Sequence, residues 1–291
     1  MAGNIFMAGT DGSEPSLRAV EWAAREAVLR GGSLRVVSVP MLPRPMAWGR
    51  DPRGQPDVVA EKIRASCERA LATAAERAAE IEPGLAVDTA LLPGPSAQAL
   101  VEAAADAAML VVGSRGAGGF AALVLGSVSR YVATRAQCPV VVAREETMAV
   151  HGEVVVGVRD LDQPTAIGFA FEEAMLRKAR LRAVHAWPLF LPEMRLTATE
   201  RPGAEAREVT AEAAGWLADL LTFWRQKYPE VEVAEDVLHA HPGRVLAGAS
   251  ARADLVVLGR NTAEDSPNPG TGAVTHAVLN HSHGPVAVVP E

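Results

Sequence analysis

The sequence predicts an α/β protein, a parallel sheet covered by helices on both faces and built twice over. Short apolar runs alternate with helical patterns along the whole chain, the order a parallel sheet needs because each crossover must carry the chain back across a face. Gly113 and Gly259, Gly126 and Gly272, and Pro139 and Pro285 recur at one constant offset, and self-similarity at domain length marks a duplication. A length of 291 residues suits two domains, by the soft prior of roughly 150 residues each. The boundary falls near residues 145–152, with domains over 1–146 and 151–291.

The first half runs as follows. Residues 4–9 are a short apolar run ending in Gly9, Thr10, Asp11, Gly12 and Ser13, which reads as a buried strand reaching a turn. Pro15 suits a first helical turn, and Leu17, Val20, Ala23, Ala24, Ala27 and Val28 keep one apolar helical face until Gly31 and Gly32 stop it. Residues 34–39 predict the second strand. Residues 40–56 carry five prolines, Trp48 and two glycines, an irregular surface loop able to lie over a ligand. A long alanine-rich helix is predicted over 57–81, with Val59, Ile63, Leu71 and Ala78 inward. Pro83 and Gly84 end it, residues 86–92 give a third strand, and Ser96 caps a helix to about residue 108. A fourth strand follows at 109–112, a helix from Ser127 to near Gln137, and a fifth strand at 139–143.

The second half repeats this order. Strands are predicted at 153–158, 181–187, 231–238, 255–259 and 285–289, with helices at 165–179, 205–228, 242–252 and 271–282 and a proline-bearing loop at 188–202.

The chemistry concentrates in residues 111–129, VVGSRGAGGFAALVLGSVS. Gly113, Gly116, Gly118 and Gly119 follow a strand, and glycine allows backbone angles closed to other residues and close approach of a ligand to the main chain. Gly126 and Ser127 then place free N–H donors and a hydroxyl at a helix start, where the aligned peptide dipoles favour a phosphate. Gly116, Gly118 and Ala121 also match the dinucleotide fingerprint, but that motif belongs after a domain's first strand and this one follows the fourth. The missing G-K-[ST] excludes a P-loop.

Composition narrows the partners. A net charge of −7 and a pI of about 5.6 give no electrostatic support for a sequence-independent grip on nucleic acid or anionic lipid. No run approaches the roughly 20 apolar residues of a membrane span, and the first residues lack a signal-peptide pattern, so the expected compartment is the cytoplasm. Cys67 and Cys138 read as buried free thiols. His239, His241, His276, His281 and His283 lack cysteine or carboxylate partners at ligand spacing and read as surface or capping residues, so no metal site is expected. No catalytic constellation emerges, and an enzyme is not expected.

The G-x2-G-x9-G-S spacing of Gly113, Gly116, Gly126 and Ser127 resembles the nucleotide loop of the universal stress protein family. GTDGS, GSRGAGGF, LGSVS and CPVVVAR in the first half are similar to that family, as are FAFEEAMLRKARLRAVHAW and GAVTHAVLNHSHGPVAVVP in the second. The resemblance covers nearly the whole chain and implies its tandem two-domain form. Each domain would be Rossmann-like (nucleotide α-hydrolase-like), a five-stranded parallel sheet of order 3-2-1-4-5. ATP, with or without Mg2+, would lie across the carboxyl ends of the strands.

Carried over by position, the resemblance places Gly9, Asp11, Val39, Gly113, Arg115, Gly116, Gly119, Gly126, Ser127 and Val128 at the nucleotide. Asp11 would sit near adenine and ribose, Val39 would meet adenine through its backbone, and Gly113 would lie beside the ribose. Gly116, Gly126 and Ser127 would hold the phosphates. Asp11 equally fits a turn residue that bonds its own backbone, and Arg115 either a phosphate partner or a solvated charge. In the second half Thr262 and Ala273 replace Gly116 and Ser127, Arg159 falls at the place of Asp11, although a one-residue shift would offer Asp160, and Glu264 and Asp265 would repel phosphates. The resemblance thus implies a stress-response regulator that binds ATP in its first half, as ligand or switch with little hydrolysis. It further implies pairing of the halves through their fifth strands and a homodimer. An interaction scaffold independent of nucleotide, or a slow ATPase, are the alternatives.

Overall fold

The computed structural model describes residues 4–41, 58–116, 125–144, 150–159, 163–187, 204–260 and 272–291. The chain divides into two compact units, Met1–Met148 and Ala149–Glu291. The first contains β1 (Ile5–Gly9), α1 (Glu14–Leu29), β2 (Ser33–Ser38), α2 (Val58–Ile81), β3 (Val87–Leu91), α3 (Ser96–Ala103), β4 (Met109–Gly113), α4 (Ser127–Arg135) and β5 (Val140–Ala143). The second contains β6 (Glu153–Gly157), α5 (Pro164–Arg177), β7 (Arg180–Trp187), α6 (Ala204–Lys227), β8 (Val233–His239), α7 (Pro242–Ala249), β9 (Leu255–Gly259), α8 (Ala273–His281) and β10 (Val286–Val289). A 3-10 turn, Ser250–Arg252, extends α7. Among the described residues no helix is long and apolar enough to cross a membrane.

Within each unit the strands are parallel and follow the expected order, β3-β2-β1-β4-β5 in the first and β8-β7-β6-β9-β10 in the second. Every residue of β4 (MLVVG) and of β9 (LVVLG) is buried, because helices cover both faces and leave no polar side to the strand. Order reverses between β1 and β4, so the crossover helices after these two strands leave on opposite faces. A crevice opens there at the strands' carboxyl ends.

Helix α1 shows how the chain encodes its own limits. Glu14 stands in its first turn with Pro15 beside it, where a negative charge and a missing N–H both suit the helix start. Leu17, Val20, Ala23, Ala24 and Ala27 are buried as the periodicity predicts, while Val28 is exposed because it falls in the last turn, beyond the sheet. Gly31 adopts φ +62 and Gly32 lies so close to the Asn4 carbonyl that a Cβ would fall 2.3 Å from its oxygen. The first glycine turns the chain and the second lets it enter β2. In the second unit Lys178 makes the same left-handed turn at φ 53.

Other boundaries shift by a few residues. In α2, Leu71 and Ala78 are buried, Ile63 is half-buried and Val59 is exposed. Helix α3 begins after Pro95, which takes the capping position predicted for Ser96, and ends at Ala103. Cys138 is buried and Cys67 only half-buried, and both are free thiols. The predicted loops over residues 42–56 and 188–202 lie outside the described residues.

The edge ladders of the two units differ in length. The β2–β3 ladder has its last rung at Ser38 and Leu91, whereas β7 and β8 stay paired through Ala186 with Leu238 and Trp187 with His239.

Candidate functional site

The turn after β1 is held by hydroxyls. Thr10 N–H donates to the Val37 carbonyl (2.8 Å), tying the turn to β2. Ser16 Oγ donates to the Ser13 carbonyl (2.8 Å) and accepts the Asp11 amide (3.3 Å). Its single proton is thereby used, so in the 3.0 Å contact between the two hydroxyls Thr10 is the donor, and Thr10 Oγ1 in turn accepts the Gly12 amide (3.1 Å). Gly12 itself sits at φ +79. Asp11 Oδ1 accepts both the amide (3.0 Å) and the hydroxyl (2.5 Å) of Ser13, which is the backbone-bonding turn role the sequence left open. Its other oxygen faces Gly116, where an added Cβ would fall 2.5 Å from Oδ2.

The segments flanking the loop after β4 are brought back together. Ser129 Oγ donates to the Gly113 carbonyl (2.6 Å) and the Gly126 amide to the Ser114 carbonyl (2.8 Å). Gly126 caps α4 in extended conformation (φ −69, ψ 152), and the first helical bond runs from Arg130 N–H to the Gly126 carbonyl at 3.0 Å. The amides of Ser127, Val128 and Ser129 precede that bond and carry the positive end of the helix. Ser127 is exposed, Val128 and Arg115 are half-buried, and Gly116 is exposed.

The glycines work differently from the expectation that they supply unusual backbone angles. Neither Gly113 nor Gly116 has a positive φ; both are needed for space. A Cβ on Gly113 would lie 2.6 Å from the Pro15 carbonyl oxygen and 3.0 Å from the Ser16 nitrogen. Its absence lets α1 start directly against the end of β4. Gly126 is not crowded, with no neighbour of an added Cβ nearer than 3.5 Å. Gly118 and Gly119 lie outside the described residues. Gly9 ends β1 against Leu100, and Val39 stands half-buried one residue past β2. Asp11 and Gly116 meet across the crevice, and Gly113, Arg115 and Gly126 meet where the β4–α4 loop closes.

The family model described as the universal stress protein family matches twice, over residues 4–144 and 152–290. The chain belongs to the universal stress protein family. A universal stress protein of Mycobacterium tuberculosis is 34% identical over 295 residues, covering 96% of this chain and 95% of that protein. Another from the same organism is 33% identical over 304 residues, covering 97% and 94%. The crystal structure of a universal stress protein from Archaeoglobus fulgidus is similar over 100% of this chain and 99% of its own, with a TM-score of 0.68 at 17% identity. That last likeness concerns the fold alone.

Seen as two universal stress protein domains, the units have diverged at the site. In the second, the Arg159 amide donates to Gln163 Oε1 (2.9 Å), so a buried glutamine does what Ser16 does in the first. A Cβ on Gly259 would meet Gln163 Nε2 at 2.5 Å and Glu291 Oε1 at 2.8 Å. The Glu291 carboxylate accepts the amides of Thr165 (3.1 Å) and Ala166 (3.2 Å), capping α5. Helix α8 keeps an extended Gly272 cap, but its first residue is Ala273. Thr262, Glu264 and Asp265 lie outside the described residues.

Several contributors had no motif to announce them. Ser129, two residues past Ser127 in LGSVS, lies about one helical turn from the capping glycine, and Ser16 lies in the first turn of the helix after GTDGS. In the second domain His185 Nδ1 contacts the Val158 carbonyl (2.9 Å) with its ring edge-on to Trp216, and Trp187 lies 4.9 Å from His239. The alternation in H-A-W at 185–187 is the signal that both His185 and Trp187 lie on one strand face.

Proposed function

We propose that the chain is an ATP-binding regulatory protein of the cytoplasm, holding one nucleotide in its first domain as ligand or switch and hydrolysing little of it. One observation carries this reading. Gly116, the leading amides of α4 and Ser127, the first and last exposed, stand on segments bonded together through Ser114 and Gly126 at the switch point of the sheet, a donor set suited to phosphate. These residues fit ATP phosphates, with or without Mg2+, because they offer neutral donors and no side chain at Gly116. The second domain lacks the hydroxyl at Ala273 and has an arginine where Asp11 stands, which favours a single site.

Binding without steady turnover follows from what hydrolysis additionally requires, a group that orients the attacking water and charge neutralisation on the leaving phosphate. Asp11, whose carboxylate faces Gly116, is engaged by Ser13. Pairing of the domains through β5 and β10, and association of two chains, belong to the same proposal; sedimentation at graded concentrations tests the latter. The central test is calorimetry with ATP on the full chain, with turnover measured in parallel. One site per chain and turnover far below about 1 per second, the lower range for dedicated enzymes, are expected. Two equivalent sites, no binding, or fast turnover lost on Ser127→Ala would overturn the reading.

A further inference from the structure

Helices α2 and α6 are both 24 residues long and compare position by position. In the first domain Arg77 of α2 reaches α1, pairing with Glu14 (3.0 Å) and Glu21 (2.7 Å), and Arg18 lies 3.9 Å from the same Glu14. The counterpart of Arg77 in α6 is Phe223, and that of Ala78 is Trp224. Counting back from the left-handed residues that end α1 and α5, Gly31 and Lys178, Gly168 stands where Glu21 does. Rings therefore take the place of ion pairs. Trp224 covers Gly168, where a Cβ would fall 2.5 Å from the indole, and stacks on Phe171 at 6.0 Å between centroids. Phe223 stands edge-on to Trp224 at 5.2 Å and is left 63% exposed.

Closing this helix pair does not require an exposed ring, since the first domain does it with charges. A phenyl in water forfeits the gain of burial, and a patch of such residues marks a surface that something covers. Val209, Trp216 and Phe223 recur every seven residues and lie along one line of α6, with Val209 exposed like Phe223 and Met175 exposed on α5.

Charge is unevenly placed along that line. Four carboxylates, Glu205, Glu208, Glu212 and Asp219, and one cation, Arg207, precede Phe223 in α6, whereas Arg225 and Lys227 follow it and Lys178 ends α5. Glu212, Asp219 and Lys227 are exposed and make no ion pair among the described residues. An apolar line with an acidic end and a basic end is complementary to itself when turned end for end, the condition for a two-fold contact between identical surfaces.

We propose that the α5–α6 face of the second domain is the surface through which two copies of this chain associate. Helix α6 lies antiparallel to α6 of the second copy, Phe223 is covered, and the acidic end of each helix lies over the basic end of the other. This rests on the association of two chains proposed above, in which the fifth strands are used within the chain and leave chain-to-chain contact to another surface.

The test is analytical sedimentation of the full chain at graded concentrations and at two ionic strengths. Wild type is compared with Phe223→Glu, Glu212→Lys, Lys227→Glu and the double variant Glu212→Lys/Lys227→Glu, with thermal melts to establish that each folds. Wild type should dimerise, and Phe223→Glu should raise the dissociation constant at least about thirtyfold, the effect of losing a central aromatic anchor. Each single charge reversal acts twice in a two-fold pair and should weaken association about tenfold at low salt, less at high salt where exposed charges are screened. The double variant restores complementarity and should return to within about threefold of wild type. A wild-type dimer that Phe223→Glu leaves intact, or a double variant no tighter than the singles, would overturn this surface and leave association of two chains standing. Wild type monomeric at every concentration would overturn both.

Discussion

Gly113 and Gly126 bracket one loop, and spacing alone treats them as equivalent. Geometry separates them. Alanine at 113 would place its Cβ 2.6 Å from the Pro15 carbonyl oxygen and 2.7 Å from its carbon. Both are backbone atoms at the start of α1, which cannot rotate away, so the helix must retreat by about 0.8 Å to restore the ordinary contact of about 3.4 Å. Overpacking of this kind costs about 1–3 kcal/mol. For a domain of this size that lowers the melting temperature by roughly 2–4 °C per kcal/mol, so about 5 °C in all. Alanine at 126 meets nothing closer than 3.5 Å and inherits a φ of −69 that any residue adopts, so its cost should be confined to alanine's weaker capping of α4, about 0.5–1 kcal/mol. Because two domains need not melt together, calorimetric melts should be paired with hydrogen exchange, which should localise the Gly113→Ala loss to β1, α1 and β4. Equal destabilisation by the two changes, or a Gly126→Ala loss exceeding that of Gly113→Ala, would refute the distinction between a glycine needed for close packing and one that merely caps a helix.

Removing Ser129 Oγ by Ser129→Ala leaves the buried end of β4 without its 2.6 Å partner and should cost about 1–2 kcal/mol in the first domain, read from its melting transition. Lys178→Gly replaces a side chain held at φ 53 and should stabilise the second domain by about 1 kcal/mol, since the left-handed turn costs a non-glycine residue about that much; a loss of stability would show that the lysine side chain contributes more than the turn costs. Glu291→Ala uncaps α5 and should cost about 1 kcal/mol, with faster exchange confined to the amides of Thr165 and Ala166, the two that the carboxylate now accepts.

The strands were legible because a sheet buried on both faces leaves almost no polar residue in β1, β4, β5, β6, β9 or β10, and the crossovers between them show helical periodicity. Ends were less so. Val28 and Val59 continue an apolar pattern past the region where a neighbouring element covers it, and periodicity has no term for where the neighbour stops. At the site, the spacing of Gly113, Gly116, Gly126 and Ser127 identified the loop but not what each glycine does, because a residue without a side chain gives no sign of whether it is there for its torsion or for its vacancy. The partners of Gly113 and Gly116 are in the β1–α1 turn, about a hundred residues earlier. The cap on α5 is still less visible: Glu291 reaches Thr165 across 126 positions, a distance at which no local pattern operates.

The two extra rungs between β7 and β8 bear on whether the second domain's history could be reversed. Ser33 and Arg180 each oppose the first residue of their domain's central strand, Ile5 and Glu153. Counting from those partners, Ala186 is the counterpart of Val39. Val39 lies beyond the last rung of its ladder, while Ala186 is fixed inside one, opposite Leu238, with Trp187 and His239 closing the next. Glycine at Thr262 and serine at Ala273 would therefore reproduce the loop end of the first domain's site and leave the strand end different. The strand end is paired in the sheet, and freeing it would require unpairing Ala186 from Leu238 and Trp187 from His239. A loop difference between two copies of a domain can be removed by one substitution, whereas a difference in strand pairing is held by every residue of the longer ladder.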